Sequence, residues 1–156
     1  MKIVEVHNGE IHPIEILPIE NQDFNTLSTK RYFFNWEEEH KFEIYKLCKV
    51  GQIDILGLVS VQRIPAEWRI HIRLLTVSSE NIGQSKIYDK IAGNLIAFVA
   101  KISVKQFGTL ACISLKPKSN LLNHNLTKYK MKKTGQTLSL EVPEILNLIN
   151  SFDDEI

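Results

Sequence analysis

Three consecutive runs between Phe42 and Val77 constrain this chain more than any other feature. Phe42-Glu-Ile-Tyr-Lys-Leu-Cys-Lys-Val50 alternates apolar and polar residues and ends at Gly51-Gln52. Ile53 to Ile64 is a more apolar run, closed by the turn residues Pro65-Ala-Glu-Trp68. Arg69 to Val77 alternates again, with Ile70, Ile72 and Leu74 on one face and Arg69, His71 and Arg73 on the other. Neighbouring side chains of a strand point to opposite faces, so a period of two marks a half-buried strand. Three such strands joined by short turns predict an antiparallel meander.

After Val77 the period changes. A polar loop, Ser78 to Lys86, leads into a helix predicted from Ile87, with apolar positions at Ile87, Ile91, Leu95, Phe98 and Ile102. Leu95 to Ala100 is apolar almost all round, which predicts burial of the helix. Gly108 marks its exit, and Thr109 to Leu115 is a continuous apolar run of the buried, parallel type. The pattern then predicts a helix over Asn120 to Tyr129, a last strand over Gln136 to Glu141, and a C-terminal helix opened by Pro143. Ahead of the meander it predicts a hairpin turning at Asn8-Gly9. A helix over residues 22–35 follows, capped by Asp23 or Ser28, and Glu37 to Glu39 read as a solvated turn. The expected class is α/β (α+β), a mixed sheet with flanking helices, in one domain over residues 1–156.

Composition excludes several function classes. A net charge of +1 lacks the basic excess of a nucleic-acid binder, so no nucleic acid is expected. Cys48 and Cys112 each lie in an apolar run and read as small buried hydrophobes, with no disulfide framework. The N-terminal stretch carries no long apolar region of a secretion signal, and Leu95 to Ala100 is too short to span a bilayer. A cytoplasmic protein with no membrane partner is expected. The five histidines show no metal-ligand spacing, so no metal is expected.

The order of elements over roughly residues 42–141 resembles the GNAT superfamily of acyl-CoA N-acyltransferases. In that family the CoA pyrophosphate rests on backbone N–H groups of the loop opening the buried helix, whose motif is Arg/Gln-x-x-Gly-x-Gly/Ala. A helix N-terminus suits this, because its orphan donors and positive dipole end attract anions. Ile91-Ala-Gly-Asn-Leu-Ile96 matches the end of the motif, with Ala92 at the last small position, Lys90 at the Gly position and Ile87 at the Arg/Gln position. In a second alignment Asn81-Ile-Gly83-Gln84 is the lead-in to a longer loop. The resemblance therefore implies Gly83, Gln84, Ala92 and Gly93 as phosphate contacts, although a turn at Gly83 and close packing at Gly93 explain the same residues without a ligand. It also implies the backbone of Leu75, Thr76 and Val77 as the contact to the pantetheine arm and thioester carbonyl.

Asn120 matches an Asn that the family often places near the start of its next helix. At the family's tyrosine acid position stands Leu126, with His124 two residues before it and Tyr129 three after, each a candidate general acid. Glu67 and His71 are the base candidates, although a turn end and a strand-surface histidine explain them equally. The lysines between Lys128 and Lys133 read either as a solvated helix end or as a contact to the 3′-phosphate of CoA. Tyr32, Phe33, Phe34 and Trp36 read either as core or as an acceptor pocket. The resemblance implies acetyl-CoA or another acyl-CoA as co-substrate and an amine of a small molecule or protein as acceptor, with a homodimer left open. The departures at Lys90 and Leu126 keep two other readings open: a catalytically inactive binding or regulatory module of the same fold, and an interaction protein sharing only the topology.

Overall fold

The N-terminal alternation folds as a hairpin in which β1 (Lys2–Glu5) pairs antiparallel with β2 (Ile11–Pro18), Ile3 facing His12. Gly9 sits in the connecting turn at φ 71°, a backbone region that residues with a Cβ avoid. This computed structural model describes residues 1–116, 132–134 and 137–153. Their contacts gather into two units, Met1–Ser60 with Leu74–Leu95 and Val61–Arg73 with Ile96–Ile156.

In the first unit β2 pairs antiparallel with β3 (Glu43–Lys49), placing Ile16 opposite Leu47. The strand order there is β6 (Tyr88–Asp89)-β1-β2-β3-β4-β5, with β4 (Gly57–Ile64) and β5 (Arg69–Val77) each contributing the part that belongs to this unit. The second run of the meander starts later than its apolar pattern predicts: β4 begins at Gly57, and Ile53 is 96% exposed. Tertiary partners hold the residues before it out of the strand. Asp54 is gripped by Arg31, and the Ile55 carbonyl accepts from the Tyr32 hydroxyl at 2.7 Å. Ile55 and Leu56 are nonetheless buried.

The helix expected over 22–35 is instead a series of short pieces: a 3-10 turn at Asn21–Thr26, α1 at Thr29–Tyr32, and a second 3-10 turn at Trp36–Glu39. Ser28 caps α1, its hydroxyl accepting from the Arg31 N–H, and Phe33 ends it at φ 72°. Breaking the helix lets Tyr32 and Trp36 both enter the core against Ile44, Cys48, Ile55 and Leu58, while Phe33 faces out. Glu39 corrects the expectation of a solvated acidic turn. It is buried and accepts a hydrogen bond from Ser60 Oγ at 2.7 Å.

The buried helix, α2 (Ile91–Phe107), starts four residues after its expected start at Ile87. Ile87 is exposed rather than core, because Tyr88–Asp89 form β6, an edge strand paired antiparallel with β1. From Leu95 to Ala100 only Phe98 is not fully buried, as the all-round apolar run predicts. Gly57 packs directly beneath the start of α2. A Cβ there would lie 2.7 Å from Ile91 Cγ2 and 3.3 Å from the Thr76 carbonyl oxygen.

In the second unit the strand order is β4-β5-β7 (Cys112–Leu115)-β9 (Thr137–Glu141)-β8 (Lys132–Thr134). Here β7 (Cys112–Leu115) runs parallel to β5, and β9 (Thr137–Glu141) pairs antiparallel with β7. An additional short strand, β8 (Lys132–Thr134), pairs with β9, and α3 (Glu144–Asp153) closes the described chain. Cys48 is buried, which pushes its thiol up to about 11, and Cys112 is half-buried. Among the described residues no helix is long and apolar enough to cross a membrane. The helix expected over Asn120 to Tyr129 lies outside the described residues.

Candidate functional site

In the first unit the start of α2 is opened by a residue with left-handed backbone. Lys90 adopts φ 76°, the left-handed region, and its carbonyl accepts the Asn94 N–H at 3.1 Å to open the helical ladder. Glycine is the usual occupant of such a position, so Lys90 holds a glycine conformation at a strain cost of about 1–2 kcal/mol. Its own N–H donates to Asp89 Oδ1 at 2.8 Å, and the same oxygen takes Lys86 Nζ at 3.0 Å. Asn94, fully buried, donates from Nδ2 to the carbonyls of Lys2 and Lys90 at 2.7 and 2.6 Å. These bonds tie β1 to the helix start. Ala92 is half-buried and Gly93 buried, both in the first turn.

The preceding loop is pinned at its base. The Ser78 N–H donates to the Leu56 carbonyl, and Asn81 bridges from Ser78 Oγ to the Tyr88 N–H. The Ile87 N–H also reaches the Glu80 carbonyl at 3.2 Å. Residues 82–86 therefore form a closed excursion, with Gly83 (φ 81°) and Gln84 exposed in it. Glu80 is anchored by Arg31, whose guanidinium donates to it at 2.5 Å, to Asp54 at 2.7 Å and to the Tyr32 hydroxyl at 2.9 Å. Burial alone would raise the Glu80 carboxyl, but hydrogen bonds, led by the one from Arg31, hold it below its ordinary value. At the end of β5, Thr76 is buried and Leu75 and Val77 are half-buried.

In the second unit β5 and β7 bring together a compact polar cluster. The parallel register sets His71 opposite Ser114, and His71 Nδ1 lies 2.9 Å from Ser114 Oγ. Arg69, two residues earlier on the same face, donates to the same hydroxyl at 2.7 Å. Its guanidinium also donates to Glu67, through Nε at 2.8 Å and through a second, shorter bond. Burial, together with the cations Arg69, Lys116 and Arg73, lowers the pKa of His71 from its ordinary value. Both effects favour the neutral imidazole. The ladder ends at Ile72 opposite Leu115, whereas β5 continues to Val77.

The structure thus groups Glu67 with His71, through Arg69 and Ser114, and sets Ala92 and Gly93 at the start of α2. It places Gly83 and Gln84 in the excursion over residues 82–86. Asn120, His124 and Tyr129 lie outside the described residues. Ser114 and Arg69 did not stand out in the sequence. The available signals were one polar side chain inside the apolar run Ala111–Leu115 and the shared strand face of Arg69 and His71. The β1–β2 hairpin also gathers Glu5, Glu10 and His12, with one ligand atom of each within 4.8 Å of the others. Spacing rules for His and Cys do not see such a grouping. Asn8 and His12 already hydrogen-bond the Glu5 carboxylate.

No family model matches the chain, and no curated protein matches it in sequence. Solved structures do. A chimera of the spermidine N-acetyltransferase SpeG from Vibrio cholerae and hSSAT superposes with a TM-score of 0.64 at 12% identity, covering 86% of this chain and 98% of its own. A GNAT-family acetyltransferase from Listeria monocytogenes gives 0.60 at 14%, covering 91% and 100%. A GNAT-family acetyltransferase from Elizabethkingia anophelis, solved with acetyl-CoA bound, gives 0.59 at 15%, covering 83% and 98%. The chain has the fold of the GNAT acetyltransferases.

Proposed function

We propose that this GNAT-fold chain is an acyl-CoA-dependent N-acyltransferase. The observation that carries the reading is the backbone at Lys90. The position aligned with the motif glycine is left-handed, at φ 76°, although its side chain is not the one that favours that shape. A lysine in a strained, left-handed conformation is being held to that shape, and the shape opens a helix N-terminus suited to an anion. The solved neighbours with CoA or acetyl-CoA bound support the same reading.

In this reading the backbone of Ala92 and Gly93 serves the pyrophosphate, and the backbone of Leu75 to Val77 serves the pantetheine arm and the thioester carbonyl. Gly83 and Gln84 belong to the loop that precedes the phosphate site. The amine nitrogen attacks the thioester carbon, the C–N bond forms and the C–S bond breaks with its electron pair going to sulfur. A base, directly or through water, takes the amine proton, and the thiolate is then protonated. Glu67 and His71 are the residues offered as base and His124 and Tyr129 as general acid, with Asn120 offered as a contact to the cofactor.

Thermal denaturation with acetyl-CoA and with free CoA tests the reading, followed by thiol release over a panel of amines. A ligand that binds only the folded chain raises its melting temperature by mass action. We expect a shift with both ligands and thiol release above background with at least one amine. No shift at millimolar ligand rejects the reading. A shift without turnover on any amine transfers support to a binding module.

A further inference from the structure

We infer that Asn94 holds Lys90 in its left-handed conformation and thereby sets the affinity of the helix start for the pyrophosphate of CoA. The affinity half rests on the acyl-transfer reading. The hold on Lys90 stands on geometry within the first unit alone.

The chain has a single residue, Lys90, in which to turn from β6 into α2. Before it, Tyr88 and Asp89 are fixed by the ladder to β1, opposite Glu5 and Val4. After it, Asn94 makes a second attachment to β1, because its Nδ2 donates to the Lys2 carbonyl at 2.7 Å. The other Nδ2 proton goes to the Lys90 carbonyl at 2.6 Å, which also accepts the Asn94 N–H at 3.1 Å. Both sides of Lys90 are thus tied to one strand, and its carbonyl is bound twice by one residue. A residue with a Cβ leaves the left-handed region when nothing restrains it. Here the two attachments restrain it at φ 76°.

The satisfaction of the amide is one-sided. Asn94 is 0% exposed, and its Oδ1 has no hydrogen-bond partner among the described residues. Turning the amide over would set that oxygen against two carbonyl oxygens, so the donating orientation is fixed. A buried acceptor without a partner costs stability, and an apolar side chain would fill the same place without that cost. What the asparagine contributes is therefore its two donated bonds. In the proposed function the backbone of Ala92 and Gly93 serves the pyrophosphate, and it does so only while the helix start keeps its shape. Without Asn94, Lys90 spends most of its time outside the left-handed region, and the apparent affinity falls by that fraction. Asn94 acts through Lys90 and is a positioning residue.

NMR couplings across the backbone at residue 90 report φ directly, with no ligand present. The wild type is expected to give the left-handed value, and Asn94→Ala and Asn94→Leu to lose it. The leucine fills the volume that the alanine vacates, so the pair separates lost bonds from a cavity. A residue 90 that stays left-handed in both variants overturns the inference. Where neither variant folds, recovery of the fold on adding Lys90→Gly supports the hold on Lys90, and no recovery rejects it. Calorimetric titration with free CoA reads the second half. Asn94→Ala should bind about tenfold more weakly, the order of the preference against left-handed backbone. Adding Lys90→Gly to Asn94→Ala should return the affinity to within about threefold of wild type, because glycine takes that region about as readily as the right-handed one. An asparagine that only supports the fold would leave the weakened binding unrescued. That result rejects the affinity half, as does an unchanged affinity in Asn94→Ala. A wild type that does not bind CoA rejects the acyl-transfer reading and the affinity half with it, while the couplings at residue 90 still decide the hold.

Discussion

At the scale of single residues, Arg31 shows how one side chain can organise three separate segments. Its guanidinium reaches Asp54 ahead of β4, Glu80 in the loop before α2, and the hydroxyl of its neighbour Tyr32. The paired carboxylates raise its pKa further, so it is charged at every pH the fold survives. Arg31→Ala is expected to destabilise the chain by about 1–2 kcal/mol, since the network is only partly shielded from water. Arg31→Lys should recover less than half of that, because a point charge cannot fork between two carboxylates. Urea unfolding of the three proteins checks both numbers. His71 makes a prediction about pH. Its folded pKa lies below the unfolded value of about 6.5, so the stability it contributes is present above that pH and is lost as pH falls towards the folded value. Urea midpoints at pH 7.5 and 5.5 should therefore differ less in His71→Gln than in the wild type.

At the scale of elements, the start of α2 is where several local conflicts meet. Gly57 lets β4 approach the helix so closely that any Cβ would meet the backbone of Thr76 as well as the end of Ile91. The isoleucine can yield, but the carbonyl cannot move far. Gly57→Ala should cost about 1–3 kcal/mol by overpacking, and Gly57→Val more, as read by urea unfolding. Lys90 presents the opposite case. Its φ of 76° suits glycine, so Lys90→Gly is expected to stabilise by about 0.5–1 kcal/mol and Lys90→Val to destabilise. Circular dichroism melts of the two variants decide this. A lower melting temperature for Lys90→Gly would mean that the lysine side chain contributes more than the backbone strain removes.

At the scale of the whole molecule, ligand binding and folding share one free energy. If acetyl-CoA binds the folded chain alone, a concentration one hundred times its dissociation constant adds about 2.7 kcal/mol. For a chain of 156 residues, each kcal/mol moves the melting temperature by about 2–4 °C, so the expected rise is about 5–11 °C. A rise that fails to grow with ligand concentration would exclude a linked binding site.

The sequence by itself determined the elements whose burial is one-sided or complete. Alternation between Phe42 and Val77 set the meander strands, and the all-round apolar run at Leu95 to Ala100 set the buried helix. The continuous apolar run before Leu115 marked the parallel strand, because only a strand covered on both faces dispenses with polar positions. Tertiary structure decided what local pattern leaves degenerate. Ile53 is apolar yet 96% exposed, because Asp54 and Ile55 are held by Arg31 and Tyr32 from elsewhere in the chain. The residues of the expected helix over 22–35 break into short turns, because two aromatics must reach one core from different directions. Tyr88 and Asp89 become a strand only because β1 offers an edge. The left-handed backbone of Lys90 was not legible, since that shape comes from the surrounding bonds rather than from the residue. His71 was visible as a candidate. Its partner Ser114 was not, because the contact depends on the parallel register of two strands separated by the loop and helix between them.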